Sequence, residues 1–159
     1  MLQKKLAAVF GFDFFNGFAM DTITIKGQAI FKRNDHSLAE NEITNGRNST
    51  EKINKVASFT GQAFQLPKDA TPILILNDNF KIFLPDTAWQ FNQNTKRMNV
   101  NGWSQGAYKR FGNGKVVVFG EAAMFSAQLA GPKKIKMGMN TEIAKENHQL
   151  LLNIIHWLD

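Results

Sequence analysis

Cysteine is absent from the 159-residue chain, which removes disulfides, thiolate nucleophiles and thiolate metal sites together. Histidine is scarce: His36, His148 and His156 are the only three. The last two lie about two helical turns apart, so one metal ion could not bridge them without further ligands. No metal site and no cofactor motif follow from this set, and no G-x-S-x-G elbow is present. A single Tyr stands against fourteen Phe and three Trp, an aromatic set poor in polar handles and suited to core rather than to base stacking. Long apolar runs are missing too. The opening MLQKKLAAVF has two lysines and then five apolar residues before Gly11, with no small-residue cleavage pattern. Neither a signal peptide nor a membrane span of ~18 apolar residues is expected.

What is present suits one globular domain over residues 1–159: 43% of the residues are hydrophobic and 20% charged, enough to bury a core and keep a soluble surface. The formal charge is +6, but the basic residues are scattered as Lys4 and Lys5, Lys32 and Arg33, Lys96 and Arg97, Lys109 and Arg110, and Lys133, Lys134 and Lys136. Scattered cations read as a solvated surface rather than a nucleic-acid footprint.

Leu2, Leu6, Val9 and Phe10 fall on one helical face, with Gly11 placed to end the helix. "DTITIKGQAIFKR" suits a short strand or an irregular excursion, and the polar stretch from Asn34 to Asn54 a loop with one helical turn. "KVASFTGQAFQL", "TPILILND" and "FKIFLPD" read as strands, the second as one buried on both faces. "AWQFNQNTKRMNVNGW" reads as loop. "SQGAYKRFGNG" is predicted to be a short helix capped by Ser104, "KVVVFG" a buried strand, and "EAAMFSAQLA" a helix entered through Gly120 and Glu121. The closing helix, capped by Asn140 or Thr141, carries an apolar stripe of Ile143, Leu150, Leu151, Ile154, Ile155 and Leu158 interrupted by Asn147.

The stretch Gly102–Asp159, with "GNGKVVVFGE", a helix, a polar loop and then "NHQLLLNIIHWLD", resembles the class I glutamine amidotransferase-like superfamily. Within it, the similarity is to uncharacterised domains associated with gliding motility or sugar transport, of the kind found in Bacteroidetes-type bacteria. "FGFDFFNGFAMD", "VASFTGQAF" and "AWQF" extend the resemblance over most of the chain. It implies an α/β, flavodoxin-like three-layer sandwich with a mostly parallel central sheet. It also implies a first βα unit before Leu2 that this chain lacks, an exposed sheet edge, and homodimerisation through that edge. The bacterial cytoplasm or an envelope association is the implied setting. Cysteine-dependent glutamine hydrolysis is excluded, because the nucleophile is missing.

In such a sheet, ligands sit beyond the carboxyl ends of the strands. Glu121, at the end of "KVVVFG", is the leading candidate for a ligand-binding residue, and its alternative is a capping charge on the following helix. Ser126 would need a nearby base to act as a nucleophile and otherwise is a plain helical serine. Trp103 beside Ser104 and Gln105 offers the apolar platform and amide pairing that sugar sites use, or anchors a loop; Trp89 and Gln90 invite the same two readings. His148, near the start of the last helix, borders the expected pocket. The set Glu121, Trp103, Gln105, Ser126 and His148 is therefore expected to bind a small polar ligand, such as a carbohydrate, or a protein partner without catalysis. The alternatives are a hydrolase using Glu121 and His148 with water or a metal, and a structural module of an envelope or transport assembly.

Overall fold

The computed structural model describes residues 2–24 and 28–159. The chain runs α1 (Leu2–Val9), β1 (Phe18–Asp21), β2 (Ala29–Lys32), α2 (Glu42–Asn45), β3 (Lys55–Ser58), β4 (Thr71–Ile75), β5 (Phe80–Leu84), β6 (Lys96–Asn99), β7 (Ser104–Phe111) and β8 (Gly114–Phe119). A 3₁₀ turn (Ala123–Phe125) leads to β9 (Ala127–Ala130) and β10 (Ile135–Gly138). A second 3₁₀ turn (Glu142–Ala144) precedes α3 (Asn147–Leu158). The side chains of Leu2, Gln3 and Lys4, and residues 25–27 of the "DTITIKGQAIFKR" stretch, lie outside the described set.

The strands form four small sheets, ordered β1-β5-β6, β4-β7-β8, β2-β3 and β9-β10, and every strand pair is antiparallel. This overturns the parallel flavodoxin-like α/β sandwich, and the amidotransferase-like description of the chain falls with it. The physical reason lies in the connections. Parallel neighbours need a crossover of a dozen or more residues, usually a helix, whereas β7 turns into β8 through Gly112 and Asn113 alone. Two segments with helical residue types are strands. "SQGAYKRF" is β7, whose first six residues are all buried between β4 and β8, so the tertiary environment overrides local preference. "EAAMFSAQLA" is one 3₁₀ turn followed by β9, because residues 127–130 pair with 135–138 across the Gly131–Lys134 turn.

Backbone bonds join the sheets. Phe64 bridges Phe14 on one side and Ser104 on the other, Gly61 pairs with Ala19, and Leu38 lies along Leu74. The main core gathers Phe31, Leu38, Ile53, Val56, Leu74, Ile82, Met124 and Leu150, all essentially sealed from solvent. A smaller cluster of Phe12, Phe14, Phe64 and Ala107 lies under Ala7 and Phe10 of the N-terminal segment. Leu6 and Val9, expected on the buried face of α1, are instead 65% and 64% exposed. "KVVVFG", expected as a buried strand, gives β8 at the edge of its sheet, only half-buried.

The last helix also departs from its apolar stripe. Its buried face is Asn147, Leu150, Asn153 and Ile154, while Ile155 and Leu158 are exposed. Asn147 does not interrupt the stripe but anchors it. Its Oδ1 accepts from the Ala57 N–H at 2.9 Å, and its Nδ2 donates to the Ala57 and Met124 carbonyls at 2.7 and 2.9 Å. The amide thus supplies the hydrogen bonds that a neighbouring strand would give β3. Asn153 Nδ2 donates to the carbonyls of Ile43 and Glu51 and so holds the polar 34–54 excursion against the helix.

Candidate functional site

The bend after β8 is built by close backbone approach. The Gly120 N–H donates to the Gln105 carbonyl, and the Gly120 carbonyl accepts from the Gln62 N–H, both at 2.8 Å. A Cβ on Gly120 would lie 1.9 Å from the Gln62 oxygen, and one on Gly61 2.7 Å from Glu121 Cβ. Only glycine at both positions lets the 59–64 segment lie flush against the bend.

Glu121 follows immediately and is buried. Its Oε1 accepts from the Ala123 N–H, while Oε2 accepts from Met124 N–H at 2.8 Å and, at the longer distance of 3.4 Å, from Phe59 N–H. The carboxylate therefore caps the 3₁₀ turn and ties it to the residue after β3. Burial holds its pKa above the ordinary carboxylate value, against the lowering pull of the three backbone N–H groups.

In front of this bend lies a groove of about 1110 Å³. Its floor is Phe59, Gly61, Gln62 and Gly120–Ala123. One wall is Asn16–Phe18 with Leu84, Pro85 and Trp89, and the other is the β9–β10 hairpin through Ala130, Ile135, Lys136 and Met137. Trp89 stands at the rim, 66% exposed, in left-handed backbone (φ 67°), with its ring 4.6 Å from that of Phe18. A bulky residue at positive φ is costly, of order 1–3 kcal/mol, and persists only where its surroundings hold it. Phe91 packs edge-on against Phe18 at 5.3 Å and extends the aromatic surface. Asn16, Gln28, Gln62 and Lys136 are the polar residues of its walls and floor beside Glu121.

The residues expected to form the site are only partly brought together. Glu121 lines the groove. Gln105 lies behind it, fully buried against Gly61, with neither side-chain amide atom hydrogen-bonded. Trp103 is half-buried and packs edge-on against Phe15 at 5.8 Å, the loop anchor rather than the platform. Ser126 lies just past the 3₁₀ turn. Its hydroxyl donates to the Ala123 carbonyl and accepts from Gln128 Nε2, so it caps the turn. His148 is exposed on α3 and, like Trp103 and Ser126, is not among the groove's lining residues.

Trp89, Phe18, Gln28, Gln62 and Lys136 escape sequence reasoning as a set because they come from five separate stretches. The one legible signal was "AWQF", a tryptophan in a polar loop with no periodic partner to bury it. Among the described residues no group of three or more His, Asp or Glu side chains is placed to hold a metal ion, and no helix is long and apolar enough to cross a membrane. The chain matches no protein-family model, no curated protein and no solved structure.

Proposed function

We propose that this chain is a non-catalytic binding module that takes a small polar ligand, with carbohydrate the class its groove suits best. The observation that carries the reading is Trp89: an indole kept two-thirds exposed and held at an unfavourable backbone angle over a groove whose lining includes Asn16, Gln28, Gln62 and Lys136. An apolar ring face for sugar C–H groups, with amides for the hydroxyls, is the pairing that saccharides need. Glu121 supports binding over hydrolysis, because both its oxygens accept from backbone N–H groups and neither is turned to the work of a general base. The envisaged base partner, His148, stands outside the groove.

The test is a thermal-shift and tryptophan-fluorescence screen against neutral and acidic saccharides, repeated with Trp89→Ala. Mass action predicts that a true ligand at 100 times its Kd stabilises the fold by about 2.7 kcal/mol, seen as a raised Tm. The shift should vanish in Trp89→Ala while the unliganded melt stays cooperative. No response to any saccharide, or a response that survives the substitution, overturns the proposal.

A further inference from the structure

The second groove of the molecule, about 730 Å³, runs along the outer edge of β8 under α1, lined by Leu6, Ala7, Phe10 and Val116–Phe119. The β7–β8 register pairs Lys109 with Val116 and Ala107 with Val118, and the ladder continues with Gly120 N–H on the Gln105 carbonyl. Antiparallel alternation then turns the N–H and C=O groups of Gly114, Val116 and Val118 toward β7, and those of Lys115, Val117 and Phe119 outward. No described strand pairs with that outer edge. Six backbone groups at strand spacing thus stand open beside an apolar wall. The usual defences of an edge, a proline, a bulge or an inward charge, are missing over Val116–Phe119.

We infer that this edge is the interface of a homodimer in which β8 pairs antiparallel with β8 of a second copy about a two-fold axis at Val117. The sequence is self-complementary in that register. Val117 faces Val117 of the other copy and Lys115 faces Phe119, so all six outward groups pair and no like charges oppose. Centring the axis on Lys115 would set ammonium against ammonium. Centring it on Phe119 would bring up the bend, where the Gly120 carbonyl already holds Gln62. Lys115 is also drawn away from the edge, its Nζ donating to the Trp157 carbonyl at 2.7 Å. The product is a continuous six-stranded sheet, β4-β7-β8 twice over, with an isologous interface. Leu6, left exposed on α1 and lining this groove, then covers the partner's strand, and its apolar area is what a bare strand edge lacks.

The mass of the purified chain, followed by sedimentation from low micromolar concentration to the solubility limit, should move from 17.9 kDa toward twice that value. Val117→Pro removes an outward N–H at a position where an edge strand tolerates proline, at the cost of some Val117 packing on the main core, and should yield a cooperatively melting monomer. If that variant does not fold, amide exchange on the wild type decides. Protection of Lys115, Val117 and Phe119 should rise with protein concentration while that of Val116 and Val118 stays constant. A wild type that is monomeric throughout, a dimer unaffected by Val117→Pro, or concentration-independent protection at the three outward amides overturns the inference. So does a monomer that instead takes an extended peptide on this edge.

Discussion

Removing the Glu121 carboxylate tests the assignment of the bend most directly. In Glu121→Ala the N–H groups of Ala123 and Met124 lose their acceptor inside a buried turn, at about 1–3 kcal/mol each. The cost of keeping a carboxylate out of water is relieved at the same time. The net loss works out at about 2–4 kcal/mol, measured as a shift in urea midpoint at constant m. Glu121→Gln isolates the charge. Burial raises the folded-state pKa above the ordinary value, which the unfolded chain keeps. Between those two values the native state binds a proton that the unfolded state does not, so stability falls as pH rises through the window. The slope is at most about 1.4 kcal/mol per pH unit for one proton. Wild type should therefore gain on Glu121→Gln as pH drops from 7 toward 4.5 in matched urea melts. A wild type that loses ground over that range would show instead that the three N–H donors outweigh desolvation.

Two further outcomes follow from the packing. Asn147→Ala orphans the Ala57 N–H, the Ala57 carbonyl and the Met124 carbonyl together and should cost about 3–5 kcal/mol by urea denaturation; a loss under 1 kcal/mol would mean these groups find other partners. Glu51 is held at a pKa of about 2 by the Arg47 guanidinium, which hydrogen-bonds both its oxygens. Because this folded value lies below the ordinary one, the contribution is complete above about pH 4.5 and lost as pH falls toward 2. Arg47→Met should flatten that part of the acid-unfolding curve, and an unchanged curve would remove the pair from the account.

The candidate site was half legible. A glycine followed by a carboxylate at the end of an apolar strand marks Glu121 as a bend into a helix; the chain does bend there, but into a 3₁₀ turn and then β9. Its function as a staple to Phe59 could not be read, since the acceptor and the N–H it reaches are 62 positions apart in sequence. Trp89 and Trp103 carried the same local signal, a tryptophan beside a polar amide. In the fold Trp103 is half-buried against Phe15, while Trp89 meets Phe18 and stays two-thirds exposed, a difference the local signal does not carry. Asn147 looked like a flaw in an apolar stripe, because periodicity scores polarity and takes no account of a strand needing an edge partner.

Composition and pattern by themselves determined that the chain has no thiol chemistry, that α3 exists, and that Lys55–Ser58, Thr71–Ile75, Phe80–Leu84 and Gly114–Phe119 are extended. These are properties of single residues or of short local periods. Strand direction, the conversion of residues 104–111 and 127–130 from helical types to strands, and the exposure of β8 were decided only by tertiary pairing. An apolar run reads the same whether its neighbour runs parallel or antiparallel and whether one edge or both are covered. The deciding hydrogen bonds run from Phe15 N–H to the Ala63 carbonyl, both ways between Phe64 and Ser104, and from Ala39 and Ile75 N–H to the Ile73 and Ser37 carbonyls, contacts whose partners local patterning does not couple.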